Sequence, residues 1–258
     1  MMYQALCKTT VPTLLVGLAS LGANASTITL ADSFEYADQA SFEAVYNITT
    51  NSTGAATVNL GQDDLDLSTG TGVGNSATTV TNAGNIFELD ADTGATLSFD
   101  VQANGFNGFT RLRLGVVSVT DPTERLYFQI ENRNSDAQFR LVSEGLGRAG
   151  IFEQDELSPN TFRGGSFVFD IDGAGATLTR DGVGLGSLAS VDISAAGEAE
   201  YSRFADGVTF FVEINRSNTA NGTATIDNLS FTGTLIPEPG SLSLLALGAL
   251  GLMHRRRK

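Results

Sequence analysis

A two-residue rhythm constrains this chain more than anything else in it. Leu97-Phe99-Val101, Leu112-Leu114-Val116, Leu126-Phe128-Ile130, Phe139-Leu141, Phe167-Phe169-Ile171 and Phe210-Val212-Ile214 each put an apolar residue at every second position, with polar or small residues between. Successive side chains of an extended chain point to opposite faces, so each segment gains one apolar and one polar face, as half-buried antiparallel strands require. The punctuation agrees. Asn104-Gly105, Asn107-Gly108, Asp172-Gly173, Asp181-Gly182, Asp206-Gly207 and Asn221-Gly222 supply residues that tolerate the positive φ of tight hairpin turns. One helix is expected, at about residues 38–45, where Ala40, Phe42, Ala44 and Val45 follow an Asp38 cap. The body is therefore expected to be all-β, an antiparallel β-sandwich or barrel.

The rhythm stops at both ends. The first 25 residues contain Lys8, an apolar run from Val11 to Leu21 and then Ala23-Asn24-Ala25, small residues at the two positions a signal peptidase reads. This is a secretory signal, with cleavage expected before Ser26. Its run is shorter than the ~20 residues that span a bilayer, and Cys7 precedes the run instead of following it, where a lipid-attachment Cys would be. At the other end Pro237-Glu238-Pro239-Gly240 lead into an apolar run from Ser241 to Met253, closed by His254, Arg255, Arg256, Arg257 and Lys258. A helix from Leu242 to Met253 would be about 18 Å long against a hydrocarbon core of ~30 Å, enough for a transient membrane hold with the cations on the cytoplasmic side. The expected organisation is a signal-peptide helix over 1–25, a β-sandwich domain over 26–234 and a sorting or anchor segment with a short hydrophobic helix over 235–258. No Pro-rich linker or charge block divides the body, whose only internal prolines are Pro122 and Pro159.

Setting the ends aside sharpens the charge. The body, about residues 26–239, holds ten arginines against all 29 acids, a net of −19, and no lysine, histidine, cysteine or tryptophan. Without His or Cys it builds no thiolate–imidazole zinc site, no Ser-His-Asp or Cys-His nucleophile and no disulfide. Without Lys it forms no Schiff base and no P-loop. Strong negative charge without a basic stripe argues against nucleic acid as a partner.

Two resemblances follow from particular residues. Pro237-Glu238-Pro239, the short apolar helix and the Arg255-Arg256-Arg257 cluster resemble the PEP-CTERM sorting signal of Gram-negative bacteria. That resemblance implies processing by an exosortase-type transpeptidase near Pro237-Glu238-Pro239 and delivery to the periplasm, cell envelope or extracellular matrix. In the body, the stretch Asp32 to Asp38, the stretch Ala224 to Phe231 and the hairpin from Phe167 to Gly182 are similar to segments of concanavalin A-like and laminin-G-like jelly rolls. The resemblance implies a jelly roll whose first and last strands pair, closing the domain before the tail emerges.

Carboxylates, arginines, hydroxyls and amides remain for function. Glu88-Leu89-Asp90-Ala91-Asp92 resembles the Glu-x-Asp-x-Glu strand of lichenase-type glucanases, but ends in Asp92, whose side chain is one methylene shorter. Asp92-Thr93-Gly94 reads more simply as a turn, and an enzyme is not expected. Calcium, which takes hard oxygen ligands, is the cofactor that suits an acidic exported body. Its candidate ligands are Asp32 with Asp227, and the cluster Asp63, Asp64 and Asp66; the bland alternative is a solvated acidic face. If the strands around residues 110–116, 126–131 and 138–142 are neighbours with Leu112, Leu114, Phe128, Ile130, Phe139 and Leu141 inward, the opposite face carries Arg111, Arg113, Tyr127, Gln129, Glu131 and Arg140. Planar donors beside an aromatic suit a glycan's hydroxyls or an acidic sugar's carboxylate, while the bland account is a cross-strand charge ladder on a wet surface. Residues 49–84 are expected to be long loops and short strands, and their threonines form no regular Thr-x-Thr array. The leading expectation is a non-enzymatic envelope or matrix protein in adhesion or exopolysaccharide association; the alternative is a dedicated carbohydrate-binding module, with a β-glucanase-like glycosidase third. The expected partners are the exosortase, an exopolysaccharide or glycan, and the membrane transiently.

Overall fold

The structure is a computed structural model describing residues 26–51, 53–59, 64–70, 76–90, 92–105, 110–133, 136–145, 148–153, 164–189, 201–216 and 222–236. The expected signal helix with Ala23 and Ala25, the tail helix with Pro237, Glu238, Pro239, Arg255, Arg256 and Arg257, and Asp63 and Asn107-Gly108 lie outside the described residues.

Each strictly alternating segment forms a strand. In chain order the strands are β1 (Ser26–Asp32), β2 (Tyr46–Thr50), β3 (Ala55–Asn59), β4 (Asp64–Ser68), β5 (Ser76–Asn82), β6 (Phe87–Glu88), β7 (Ala95–Gly105), β8 (Thr110–Ser118), β9 (Arg125–Arg133), β10 (Asp136–Glu144), β11 (Arg148–Glu153), β12 (Gly165–Asp172), β13 (Gly175–Arg180), β14 (Val183–Ala189), β15 (Val208–Arg216) and β16 (Thr223–Leu235). A one-turn helix, α1 (Gln39–Glu43), forms where expected. Asp38 caps it by accepting hydrogen bonds from the Ser41 amide at 2.8 Å and the Ser41 hydroxyl at 2.7 Å, and Phe42 is its buried residue.

All strand pairings are antiparallel. The first sheet runs β2-β5-β15-β8-β9-β10-β11. The second runs β16-β7-β12-β13-β14, with β1 and the β4-β3 pair sharing the other edge of β16. Short β6 joins the sheets at a corner, where Phe87 pairs with Val208 of β15 and Leu235 of β16. As the jelly-roll resemblance implies, the first and last strands pair, from Ser26 opposite Leu235 to Asp32 opposite Leu229.

The apolar faces meet between the sheets. Phe128 and Phe139 from the first sheet interleave with Phe99 and Phe167 from the second, with Phe99–Phe128 at 5.3 Å, Phe128–Phe167 at 5.6 Å and Phe139–Phe167 at 6.0 Å between ring centroids. All four rings are buried, a large apolar area at the centre of the sandwich. On the outer face of the second sheet, Thr29, Thr232, Thr96, Asp170 and Thr177 stand in one rank across β1, β16, β7, β12 and β13. Hydroxyls bridge it, with Thr29 Oγ1 2.9 Å from Thr232 Oγ1 and Thr96 Oγ1 donating to Asp170 Oδ1 at 2.6 Å.

The turns sort by their surroundings. Asp181 and Gly182 take φ of 50° and 78°, the double left-handed turn expected between β13 and β14. Asp172 closes the β12–β13 turn by accepting from the Ala174 and Gly175 amides. Two expectations need correction. Asn104-Gly105 is not a turn: Gly105 pairs with Thr223, because the 13-residue β16 offers β7 a partner long enough to keep it extended. Gly207, with φ of 96°, ends a 3₁₀ turn at Ser202–Phe204 and leads into β15 instead of forming a hairpin. Residues 49–84, expected as loops with short strands, contribute to four strands of five to seven residues.

Candidate functional site

The neighbour relation β8-β9-β10 puts the six expected residues on one outward face of the first sheet. Arg111 stands opposite Glu131, Arg113 opposite Gln129 and Gly115 opposite Tyr127, and Gln129 stands opposite Arg140. These positions form one network. Arg111 Nε donates to Glu131 Oε1 at 3.0 Å, Arg140 Nη2 lies 3.5 Å from Glu131 Oε2, Gln129 Nε2 donates to Glu131 Oε2 at 3.2 Å, and Arg113 Nε donates to Gln129 Oε1 at 2.9 Å. Glu131, at 0% exposure, is buried beneath the long arginine side chains, so the ladder is not a wet one.

The centre of the face comes from β15, which lies beside β8 and which the sequence reading did not bring in. Glu213 stands opposite Arg113, and Phe211 opposite Gly115. Glu213 Oε1 accepts from Arg113 Nη1 at 2.9 Å, while Oε2 accepts from Arg125 Nη1 at 3.0 Å and from Thr79 Oγ1 at 3.1 Å. Two guanidiniums thus share one carboxylate. Beside it Tyr127 and Phe211 pack edge to face, 5.8 Å apart, and each carries a guanidinium 5.1 Å above its ring, Arg113 on Tyr127 and Arg125 on Phe211. Gly115, between the two rings, is tightly fitted: a Cβ there would lie 2.2 Å from the Leu126 carbonyl oxygen and 2.5 Å from Tyr127 Cα. Burial pushes the Tyr127 hydroxyl up to about 12; Arg113 pulls it down, while Glu144 and Glu213 push the same way as burial. A sequence signal for β15 exists in hindsight. With Phe210, Val212 and Ile214 inward, Phe211-x-Glu213 is an aromatic and an acid side by side on a face otherwise rich in arginine.

A groove of about 510 Å³ opens at the β2-β5-β15 end of this face. Asn47, Thr49, Thr79, Thr81, Asn82 and Thr209 give it hydroxyl and amide groups, and Arg125 lines it above Phe211. Arg125 is held from two more sides, Nε donating to the Pro122 carbonyl at 2.9 Å and Nη1 to Glu213.

The other candidate positions lie elsewhere. Strand β6 ends at Glu88, so Glu88, Asp90 and Asp92 do not line one strand face. Asp90 Oδ1 accepts from the amides of Asp92 and Thr93, each at 2.7 Å, and from Thr93 Oγ1 at 2.9 Å. Partial burial raises the Asp90 carboxyl, but these bonds outweigh it and hold the group below the usual range. Asp32 and Asp227 have separate partners. Asp32 Oδ2 accepts from the hydroxyls of Tyr36 and Tyr46, at 2.5 and 2.6 Å, and Oδ1 from the Phe34 amide at 2.6 Å. Burial and the Asp32 carboxylate raise both tyrosine hydroxyls well above the ordinary value. Asp227 accepts from the amide and side chain of Asn228. Asp66 accepts from Thr225 Oγ1 at 2.7 Å and Asp64 is buried. Among the described residues no three His, Cys, Asp or Glu side chains stand together as a metal-ligand group, and no helix is long and apolar enough to cross a membrane.

Comparison with known proteins bears on the two parts of the chain separately. Residues 235–258 match the PEP-CTERM protein-sorting motif. No curated protein matches the chain significantly. Solved structures similar to the body include a protein with a galectin-like fold from Bacillus subtilis, 9% identical over 81% of this chain and 96% of the other, at a TM-score of 0.54. An immunostimulatory antigen and pseudo β-1,3-glucanase of Mycobacterium tuberculosis is 12% identical over 80% and 98%, at 0.52. A lectin from Bauhinia forficata, solved with GalNAc, is 12% identical over 81% and 99%, at 0.51. Identities this low speak to fold alone, and the fold they share is the two-sheet antiparallel sandwich described above. The chain thus carries a PEP-CTERM sorting motif behind a jelly-roll body, which makes it an exosortase-sorted, exported, envelope-associated protein of Gram-negative bacteria.

Proposed function

We propose that the body is a non-enzymatic, glycan-associating protein whose polar face on the first sheet holds exopolysaccharide at the envelope or in the matrix, in adhesion. The observation that carries this reading is the groove itself, where hydroxyl, amide and guanidinium groups converge beside a prefixed arginine–glutamate network. That some proteins of this fold are lectins or pseudo-glucanases makes a saccharide ligand the natural class. The two buried carboxylates of the face favour binding over hydrolysis. Glycoside cleavage needs one carboxyl to give a proton and another to attack or activate water, whereas both oxygens of Glu131 and of Glu213 are engaged by guanidinium, amide or hydroxyl groups.

A glycan array run beside a reducing-sugar assay on β-glucans tests this. The expected result is binding without turnover, weakened by Arg113→Ala and by Tyr127→Ala in variants whose circular dichroism matches the parent. Binding that survives both substitutions removes this part of the face from consideration. Turnover abolished by Glu88→Gln would make the protein a glucanase instead.

A further inference from the structure

We infer that the saccharide taken by the groove is acidic, a uronate-bearing chain whose carboxylate is received by Arg125; this rests on the glycan-binding reading above and specifies its ligand class. The lining is the first reason. In a chain with 29 acids, no Asp or Glu lines this groove, and its charged residue is Arg125. Arg113 and Arg125 share the carboxylate of Glu213, and Glu144, which stands opposite Arg125 on β10, does not line the groove, so the charge a ligand meets inside it is that of Arg125.

The second reason is the state of Arg125. Its Nε is fixed on the Pro122 carbonyl, its Nη1 on Glu213 and its plane over Phe211, which leaves the Nη2 donors for a ligand. A guanidinium anchored this way has lost its rotamer freedom before the ligand arrives, and its planar donors match a carboxylate. The third reason concerns the aromatic rings. A neutral pyranose is commonly held by stacking its C–H face on an exposed ring. Here Phe211 is 1% and Tyr127 2% exposed, each under a guanidinium, so neither ring is open for stacking. Hydrogen bonds and charge are what the groove offers, and an acidic sugar uses both. The acids elsewhere on the body oppose a polyanion only weakly at physiological salt, where the screening length is about 8 Å, while a contact inside the groove is screened less.

Calorimetric titration with oligosaccharides of galacturonate, glucuronate and mannuronate, each beside its carboxyl-reduced neutral counterpart, tests the inference on the unaltered protein. At least one uronate is expected to bind about tenfold or more tightly than its reduced form, the size of one hydrogen bond to a charged group. Arg125→Gln should remove that preference, so that acid and reduced forms bind alike. Equal binding of acid and reduced forms by the unaltered protein overturns the acidic ligand and leaves a neutral glycan. Binding of neutral array glycans but of no uronate overturns it in the same way. Failure of every glycan overturns the underlying reading of the face as well.

Discussion

The carboxylate of Glu213 decides whether the polar face is a packed network or a set of surface contacts, and Glu213→Gln separates the two. Exposed ion pairs contribute about 0–1 kcal/mol, whereas removing one partner of a buried pair costs about 3–5 kcal/mol by leaving a desolvated charge unmatched. The side chains here are 6% exposed for Glu213, 15% for Arg113 and 22% for Arg125, which puts the cluster nearer the buried regime. Glutamine keeps the shape and one acceptor. Its amide group, however, points donors at one of the two guanidiniums, and the pair then repel each other across a neutral group. The lower end of the buried range applies because the arginines retain some water, giving about 3 kcal/mol. For a domain of this size that lowers the melting temperature by about 6–12 °C. Urea unfolding of the purified protein and variant measures it. As a companion, replacing the whole cluster by Arg113→Met, Glu213→Leu and Arg125→Met should return most of the stability, since no charge is left stranded. A loss under about 1 kcal/mol for Glu213→Gln would falsify the claim that this network is desolvated.

Three further outcomes follow from specific contacts. Gly115→Ala should cost about 3 kcal/mol or more in the urea midpoint, because the new Cβ would meet backbone atoms of Leu126 and Tyr127 that cannot rotate away; an unchanged midpoint would mean that β8 and β9 are not in this register. Tyr127 holds its proton up to about 12 in the folded state against about 10 when unfolded. Its contribution is therefore complete below pH 10 and is lost as pH rises through 12, and the raised hydroxyls of Tyr36 and Tyr46 act with the same sign. An ultraviolet tyrosinate titration should show these residues ionising together with alkaline unfolding, and ordinary titration near pH 10 in the folded protein would contradict it. A calcium ion held at Asp32 with Asp227, or at Asp63, Asp64 and Asp66, would raise the melting temperature in millimolar calcium and the rise would vanish with chelator, whereas an unchanged melting curve removes calcium as a cofactor.

What the sequence discloses about this fold depends on whether the deciding partner is near in the chain. Asp38 capping α1 and Asp181-Gly182 turning β13 into β14 are settled within a few residues, and both are readable in advance. The face with Arg111, Arg113, Tyr127, Gln129, Glu131 and Arg140 is readable too, because β8, β9 and β10 follow one another and their alternation fixes which side chains share a side. Glu213 lies about a hundred residues from Arg113, and only the insertion of β15 between β5 and β8 brings them together. The rank Thr29, Thr232, Thr96, Asp170 and Thr177 is ordered in space but scattered along the chain, so a search for Thr-x-Thr repeats over 49–84 passes it by. Asn104-Gly105 shows the converse. Its local turn chemistry is sound, and the length of β16 overrides it.

Charge shows most clearly why net composition and site chemistry part company. A body with ten arginines against 29 acids looks unsuited to an acidic ligand when the charges are simply added. The fold distributes them unevenly. Arg111, Arg113, Arg125 and Arg140 gather on one sheet face; of the acids that join them there, Glu131 and Glu213 lie beneath guanidiniums that use up their oxygens, and Glu144, opposite Arg125, stands outside the groove lining. A buried carboxylate is tolerated only when matched, so each one fixes the arginines above it in place. The same pairing that stabilises the sheet therefore turns guanidinium donors toward the groove and withholds carboxylates from it. An approaching ligand meets the local arrangement within a few ångströms, where screening is weak, and the summed charge only at distances where salt has already removed most of it.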